Sequence, residues 1–481
     1  MRMKMYVFFT SLFLLPVATH ANAPSVLWAK EYGGNVWCFG ESVVETDDGG
    51  FIAAGHKDNF NRSVDDGIYV VRTDSNGDTL WTREYGGESD DNAYSIQKTK
   101  DGGFVIAGDT RSFGAGNDDV YIIRTDSKGD TLWTKTYGTK ENDAAYSVAV
   151  TKDGGFILAG ETTFLNYPSY SVYLVRTDSA GDTLWTKMYS LGDTSSRANS
   201  VIQTDDGGFA LAGWIMGGLW GLFMRTDSIG NVLVKKVFTL QSLNANGVLF
   251  RDLKQTSDGG FILVGDISRP IGFAPGVLLV RTDPDGDTLW TKVYTEALRG
   301  YSVAVTEDEG FIVSASNFIV KTDSTGDSMW SINFNGLEGK YLLKSIQQTA
   351  DGGFIAAGKG TVDSSGVDFI MVRIDKEGAV IKKEKSNQQT AMEGFALSGN
   401  YKDNVIYADY TIPYPVKVRI CIYDAYGRLV RVLADAFMKK GTYTAKWKTD
   451  MGRRESTAGG VYFLRLSANG HTVSKKITIV K

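Results

Sequence analysis

The feature of this sequence that most limits its fold is an internal repeat. An Asp-Gly-Gly-Phe element recurs at intervals of 43 to 53 residues over most of the chain. The copies begin at Asp48, Asp101, Asp153, Asp206, Asp258, Asp308 (as Asp-Glu-Gly-Phe) and Asp351. Chance does not keep seven copies in register, so the chain is built from seven copies of one structural unit.

Each unit contains two turn signals between strand-forming runs. The second signal, Arg-Thr-Asp-Ser-x-Gly-Asp-Thr-Leu-Trp-Thr-Lys, is clearest at 72–83, 124–135 and 176–187, and degraded copies begin at Arg225, Arg281, Lys321 and Arg373. The Asp of this turn should cap its own backbone, and the Gly should take the left-handed conformation. Two tight hairpins joined by a looser loop predict a four-stranded meander in every unit.

One such sheet cannot cover its own faces, but seven packed radially can. The sequence therefore predicts an all-β chain with a seven-bladed β-propeller over residues 24–385. A β-solenoid is the alternative, although its coils usually take fewer residues. An extra copy of the fourth strand lies at 26–33, whereas 378–385 occupies the last fourth-strand position without a Trp. We expect Leu27–Tyr32 to close the ring as the outermost strand of the blade that contains Phe354; the alternative is closure by 378–385.

Composition narrows the function classes. The net charge is −5, which argues against a nucleic-acid partner. Three histidines and two cysteines are too few and too scattered for a His-rich metal site, a redundant catalytic triad or a disulfide framework. No catalytic residue, metal or cofactor is predicted.

The N-terminus has the pattern of a signal peptide over residues 1–23. Arg2 and Lys4 precede an apolar run at 6–17, and cleavage after Ala21 or after Ala23 fits the small residues that follow. No later run of 18 apolar residues is present, so no transmembrane segment is expected after signal removal. The predicted location is secreted or on the outer cell surface, reached through the periplasm.

The Asp-Ser-x-Gly-Asp-Thr-Leu-Trp pattern resembles the repeats of quinoprotein-like (PQQ-type) β-propellers. The resemblance implies that a Trp docks between neighbouring blades; the matching residues are Trp28, Trp81, Trp133, Trp185, Trp290 and Trp330, with Val234 replacing Trp in the fourth copy. It implies a fold and not an activity. The adjacent Cys-Cys pair typical of quinoprotein dehydrogenases is missing, so the quinone is not expected.

The tail has a different pattern. Residues 386–394 read as a linker, and 395–481 contain about seven alternating strands, which predicts a small β-sandwich. This stretch resembles the type A C-terminal sorting domain of the type IX secretion system and the related FlgD-like immunoglobulin fold. The motif residues are Tyr423, Asp424, Gly427, Arg428, Gly460, Tyr462 and Lys476. The resemblance implies an address that the outer-membrane secretion machinery reads, and it leaves open whether the domain is then cleaved.

Ligand-binding residues are sought where the units differ. Units 3 to 5 place large apolar side chains in their predicted second–third loops, and the candidates are Phe164, Tyr167, Tyr170, Trp214, Trp220 and Phe273. Binding sites favour variable loops on a rigid scaffold. The alternative is that these loops pack on one another.

Acidic motifs have mainly structural interpretations. Residues 283–287 could suggest a Ca²⁺ loop, but equivalent turns lack the middle Asp, so a structural turn is preferred. The recurrent Arg-Thr-Asp is interpreted as a scaffold ion pair between its own Arg and Asp. Loop carboxylates, including Asp90, Asp118 and Asp143, could serve a glycosidase.

These observations favour an exported, non-enzymatic binding or adhesion protein that carries a sorting domain. Its expected partners are the type IX secretion machinery and a surface glycan or protein. The alternative is an exported carbohydrate-active enzyme that uses loop carboxylates.

Overall fold

The chain divides into two compact units, Met1–Val380 and Ile381–Lys481. The computed structural model describes residues 26–33, 37–58, 67–164, 167–191, 194–216, 220–239, 247–268, 276–297, 299–334, 340–361, 367–376, 396–402, 404–412, 415–424, 429–448, 460–468 and 471–479. Within these ranges, no helix is long and apolar enough to cross a membrane.

Within its described residues, the N-terminal unit contains seven antiparallel sheets of four strands each. After β1 (Val26–Tyr32), sheet 1 has β2 (Trp37–Glu45), β3 (Phe51–Asp58), β4 (Ile68–Thr73) and β5 (Thr79–Tyr85). Sheet 2 has β6 (Asp91–Lys98), β7 (Phe104–Thr110), β8 (Asp119–Thr125) and β9 (Thr131–Tyr137). Sheet 3 has β10 (Asp143–Val150), β11 (Phe156–Phe164), β12 (Tyr167–Thr177) and β13 (Thr183–Tyr189). Sheet 4 has β14 (Ser196–Gln203), β15 (Phe209–Ile215), β16 (Trp220–Thr226) and β17 (Val232–Phe238).

The remaining sheets of this unit repeat the same order. Sheet 5 has β18 (Gly247–Gln255), β19 (Phe261–Ser268), β20 (Gly276–Thr282) and β21 (Thr288–Tyr294). Sheet 6 has β22 (Gly300–Val305), β23 (Phe311–Ala315), β24 (Phe318–Thr322) and β25 (Ser328–Asn333). Sheet 7 has β26 (Lys340–Gln348), β27 (Phe354–Thr361), β28 (Asp368–Ile374) and, as its outer strand, β1.

The pairing of β1 confirms the predicted closure. This strand runs antiparallel to β28, with Tyr32 opposite Phe369 and Trp28 opposite Arg373. It therefore joins the sheet that contains Phe354, and an N-terminal strand completes the last unit. Residues 378–385 lie outside the described part of the chain.

The sheets form a ring because each buries both of its faces. Hydrophobic clusters fill the spaces between successive sheets, and one of them joins Phe369 and Met371 of sheet 7 to Val43 and Phe51 of sheet 1. Burial on both faces explains why the second and third strands are almost continuously apolar. This all-β arrangement is that of a β-propeller.

An ion pair, called the latch below, fixes the Asp-Gly-Gly turn (Asp-Glu-Gly in sheet 6) in every sheet, but its partners differ from those predicted. Arg281 donates to Asp258 of the Asp-Gly-Gly turn, with 2.6 Å between Nη2 and Oδ1. Asp283, the expected partner two residues away, instead accepts the backbone N–H groups of Asp285 and Asp287 and so caps its own turn. The pairing predicted within Arg-Thr-Asp was therefore wrong, because strand register brings the guanidinium to the other turn of the sheet.

At five of the seven contacts between successive sheets, a tyrosine of the outer strand clamps the third–fourth turn of the next sheet. Between sheets 2 and 3, the Trp133 ring lies 5.9 Å from Phe156, Tyr137 donates to the Gly181 carbonyl at 2.6 Å, and Lys135 pairs with Asp182. Equivalent tyrosine bonds join Tyr32 to Gly77, Tyr85 to Gly129, Tyr189 to Gly230 and Tyr294 to Gly326. The first of these is made by β1, so the same clamp closes the ring.

Sheet 4 achieves this packing without a Trp. Val234 occupies the Trp position, and Phe223 on the adjacent strand lies 5.0 Å from Phe261 of sheet 5. A Cβ placed on Gly286 would be 2.6 Å from Phe223 Cε1, much as one placed on Gly181 would be 2.7 Å from Trp133 Cη2. The two rings therefore cover equivalent turns from different strands.

The C-terminal unit contains two sheets. Its strands are β29 (Ala396–Lys402), β30 (Val405–Ile412), β31 (Val416–Asp424), β32 (Leu429–Met438), β33 (Gly441–Lys448), β34 (Gly460–Ala468) and β35 (His471–Ile479). One sheet has the order β29-β30-β33 and the other has the order β32-β31-β34-β35. A single hydrophobic cluster includes residues of both sheets, among them Ile406, Ile420 and Leu464.

Candidate functional site

The first strands of the seven sheets surround a central cavity of about 570 Å³, called the channel below. Each of these strands carries a β-bulge, and the bulged residues are Glu41, Tyr94, Tyr146, Asn199, Arg251, Tyr301 and Lys344. All seven line the channel. Bulges re-aim side chains, so this register places one variable residue per sheet at the cavity.

A nearly constant layer of serines follows the bulges. Ser95 and Ser147 accept the backbone N–H groups of Val148 and Val201 in the next sheet, which ties neighbouring inner strands together. Sheet 5 has Asp252 at this position, and its carboxylate accepts from Ser200 and Ser302 on either side. Asp252 also accepts two backbone N–H groups and the Lys254 ammonium, so its buried charge is fully satisfied.

A second variable position lies beside the bulges, near the end of the second strand or, in sheet 6, one residue after it. Its residues are His56, Asp109, Glu161, Trp214, Asp266, Ser316 and Lys359. Together with the bulged residues they form what we call the mouth of the channel. Relative to the repeated Asp, the two positions always lie seven residues before it and eight residues after it. Aligning the repeats on that Asp would have revealed both positions, which sequence reasoning missed.

Ion pairs organise the mouth. Arg197 donates Nε and Nη2 to the two carboxylate oxygens of Glu161, at 2.8 and 3.2 Å. Arg251 bonds Asp266 with the same two nitrogens, the Nη2–Oδ2 distance being 2.7 Å. Lys344 of sheet 7 bonds Glu41 of sheet 1, and burial raises the pKa of the Glu41 carboxyl. These contacts orient the cations at the cavity wall.

A series of side chains in aromatic and cation–ring contact crosses the mouth from sheet 7 to sheet 4. Its members, in order, are Lys359, Phe39, His56, Tyr94, Tyr146, Arg197 and Trp214. The Arg197 guanidinium carbon lies 4.3 Å from the Tyr146 ring centroid and 5.3 Å from that of Trp214. Burial, with Lys344 and Lys359 nearby, lowers the pKa of His56 to about 4, so this imidazole is neutral at pH 7. The mouth is thus a rigid surface of rings and paired charges.

A smaller pocket of about 230 Å³ adjoins the channel at Tyr94 and Tyr146. Its carboxylates include Asp90 and Asp118, which share Arg111, and Asp109, which is 6% exposed and accepts from Asn92. Burial raises the pKa of Asp109 to about 6. This pocket brings together several of the loop carboxylates singled out in the sequence.

The five predicted ligand-binding residues that the structure describes lie in strands rather than in loops. Phe164 ends β11, and Tyr167 and Tyr170 lie on β12. Trp214 lies on β15 and Trp220 opens β16, because this hairpin continues its pairing as far as Ile215 opposite Trp220. The loop assignment was therefore wrong, since aromatic side chains suit an extended ladder.

The structure gathers only part of this predicted set. Trp214 is half-buried against Arg197 in the mouth, and Tyr170 lines the acidic pocket. Trp220 is 40% exposed. Ser195 links sheets 3 and 4 by accepting the Tyr170 N–H at its hydroxyl and the Met216 N–H at its carbonyl. Phe273 lies outside the described residues.

The sorting-motif residues are drawn from adjacent strands of the C-terminal unit. Tyr423 and Asp424 on β31 face Phe463 and Tyr462 on β34, and Lys476 on β35 pairs with Phe463. Gly460 begins β34, and Tyr462 is buried. Gly427 and Arg428 lie outside the described residues.

Metal binding finds no support in the described ranges, where no three His, Cys, Asp or Glu side chains converge in a way that could hold an ion. In the turn at 283–287, Asp283 is used as the backbone cap and Asp287 pairs with Lys236. The structural interpretation of that turn therefore accounts for two of its three carboxylates, those of Asp283 and Asp287.

No family model matches the chain, and no curated protein matches its sequence. Among solved structures, a protein of unknown function from Bacteroides caccae shares 19% identity and a TM-score of 0.39 over 56% of this chain and 90% of that one. PorZ, a surface component of the type IX secretion system of Porphyromonas gingivalis, shares 10% identity and a TM-score of 0.43, covering 97% of this chain and 61% of PorZ. The WD40 domain of Neurospora crassa Pan2 shares 11% identity and a TM-score of 0.49, covering 74% of this chain and 97% of that domain. Likenesses at this level carry no conclusion about family or activity.

Proposed function

We propose that the chain is an exported, non-enzymatic binding protein: a seven-bladed propeller that binds a glycan or protein at the channel mouth, followed by an immunoglobulin-like type IX sorting domain. One observation carries the binding function. The turns, latches and clamps repeat around the ring, whereas the two mouth positions differ from sheet to sheet.

This division separates stability from recognition. The Arg–Asp latch (Lys–Asp in sheet 6) recurs in every sheet, and the tyrosine clamp recurs at five of the seven contacts between sheets, so the mouth residues are not needed for either. Variable side chains on a rigid scaffold are the usual design of a binding surface. The mouth supplies three tyrosines, an Asn and paired charges, which suit a polar ligand.

Binding is tested on the mature full-length chain with glycan and peptide arrays. For any ligand found, we expect Tyr301→Ala to weaken binding about tenfold or more, because Tyr301 lines the channel beneath Arg251. Thr82→Ala, on an outer strand, is the control and should leave affinity unchanged. An unaltered affinity in Tyr301→Ala would move the site away from the mouth.

The sorting function is supported by the motif resemblance and by the separate two-sheet unit that contains it. Deleting residues 395–481 should leave a folded propeller in the periplasm of a host with type IX secretion. A reporter fused to 395–481 should in turn reach the surface. Normal surface levels of the truncated protein would refute this role.

A second candidate function, a carbohydrate-active enzyme, is favoured by Asp109. A buried carboxyl with a raised pKa beside other carboxylates is the pattern of a general acid. A hydrolysis screen on oligosaccharides tests it, with Asp109→Asn expected to abolish any turnover and Asp78→Asn on the opposite turns expected to retain it. Turnover that survives Asp109→Asn excludes this assignment.

A further inference from the structure

We propose that the ligand of the channel is an acidic saccharide, and that Arg197 and Arg251 bind its carboxylates. This inference rests on the proposed binding function and names the chemistry of that same site.

The ion pairs around the channel expose their cations more than their carboxylates. Four pairs line or flank it: Arg197–Glu161, Arg251–Asp266, Lys254–Asp252 and Lys344–Glu41. In these pairs the cationic side chains are 26–38% exposed, whereas the carboxylate side chains are only 8–13% exposed. A ligand therefore meets the cations, although the total charge is balanced.

Both channel arginines keep N–H donors that their ion pairs do not use. Arg197 and Arg251 each use Nε and Nη2 for their carboxylates, and no hydrogen bond among the described residues uses their Nη1 groups. A guanidinium has five N–H donors in a fixed fork. The carboxylates behind the arginines hold these forks in place, so ordering them costs little when an anion binds.

The anionic site is surrounded by groups that suit a polyhydroxylated molecule. Tyr94, Tyr146 and Tyr301 line the cavity with aromatic rings, while Asn199, Gln97 and Gln347 line it with amides that both donate and accept. A cavity of about 570 Å³ lies within the range of ordinary small-ligand sites. Rings together with amides and a localised positive wall favour a saccharide bearing carboxylates over a neutral one.

The test uses uronic-acid oligosaccharides and the same oligosaccharides after carboxyl reduction, titrated calorimetrically into the mature full-length protein. We expect the reduced forms to bind at least about tenfold more weakly, since charged hydrogen bonds are each worth about that factor. Arg251→Gln should cause a similar loss, and Arg251→Lys should recover only part of it. Binding of the acidic forms should also weaken as salt is raised.

A second pair of variants keeps the test decisive if Arg251→Gln does not fold. Lys254→Gln removes a channel cation while Asp252 keeps its hydroxyl and backbone donors. Its matched control is Lys98→Gln, since Lys98 has nearly the same exposure, 37% against 38%, but pairs with Asp47 outside the channel. We expect several-fold weaker binding for Lys254→Gln and none of that loss for Lys98→Gln.

Several outcomes would overturn the inference. Equal binding of acidic and reduced sugars, or unchanged binding in both channel variants, would show that the carboxylates are not recognised there. Stronger binding of a hexaglutamate peptide would assign the site to an acidic protein segment instead. If arrays yield only a neutral ligand, the inference fails and the binding function stands; if no ligand of any class binds, the binding function itself fails.

Discussion

In sheet 4, Val234 stands at the Trp position and Phe223 supplies the ring that packs on the next sheet. Introducing the same two residue types into sheet 2 tests whether the Phe replaces the Trp. Trp133 is half-buried between Phe156 and the turn that contains Gly181. Complete truncation of a buried Trp costs about 3–5 kcal/mol, so Trp133→Val on a half-buried ring should cost about 2 kcal/mol. The loss comes from ring area exposed to water and from a gap over the Gly181 turn.

A Phe at the sheet 2 position that corresponds to Phe223 should restore much of the lost free energy of unfolding. Ile122 occupies the position of Phe223, two residues before the latch Arg of its own strand, and it is part of the same cluster that Trp133 packs on. Ile122→Phe alone should destabilise by about 1–3 kcal/mol, because the wild-type cluster has no room for the ring. Added to Trp133→Val, the same Ile122→Phe substitution should stabilise the protein relative to Trp133→Val alone. The coupling energy between the two substitutions should exceed about 1 kcal/mol.

The assay is urea denaturation of the four proteins of this double-mutant cycle, followed by far-UV circular dichroism. The full-length chain is used throughout, so the C-terminal unit contributes equally to each curve. Additive effects of the two substitutions would refute the claim that Phe223 replaces the missing Trp.

Three further outcomes are expected. The pKa of Asp258 is lowered from 3.8 to about 2, chiefly by its hydrogen bond from the Arg281 side chain. The contribution of this carboxylate to stability is therefore complete above about pH 4 and is lost as the pH falls towards 2. Between about pH 4 and about pH 2, the urea midpoint of Asp258→Asn should depend less on pH than that of the wild type. Glu309 has a left-handed backbone with φ 59°, so Glu309→Gly should stabilise the protein by about 1 kcal/mol in thermal melts. Gly207 has φ 88° with open space around it, so Gly207→Ala should destabilise the protein by about the same amount through backbone strain alone. Trp220→Ala should lower the melting temperature only slightly, because 40% of this residue remains exposed in the fold. A much earlier melt would identify it as core.

Local chemistry made the architecture of each sheet predictable. Asp126 accepts the backbone N–H groups of Lys128 and Asp130, and Gly129 has φ 80°, as the turn sequence predicted. These turns are decided by a few consecutive residues, so the hairpins on either side follow from the sequence. The surplus N-terminal strand and the need to bury both faces of every sheet then predicted the closure made by β1.

Long-range register decided what the sequence left undetermined. Arg281 could have paired with Asp283, two residues away in the sequence. Only the alignment of β20 against β19, which follows the Asp-Gly-Gly turn, places its guanidinium at Asp258. Phe223 could be recognised as a substitute for Trp only when its ring was seen over the Gly286 turn. Both contacts join segments that are distant in the chain.

The candidate site depended most on the tertiary structure. Sequence reasoning looked for large apolar residues in loops, whereas the mouth is made by bulged residues of inner strands such as Tyr94 and Arg251. A bulge is a mismatch between two paired strands, so neither strand reveals it alone. The sequence by itself determined the repeated scaffold, because that scaffold is built from local turns; the ring decided which variable residues meet at its centre, because only its closure brings the seven inner strands around one cavity.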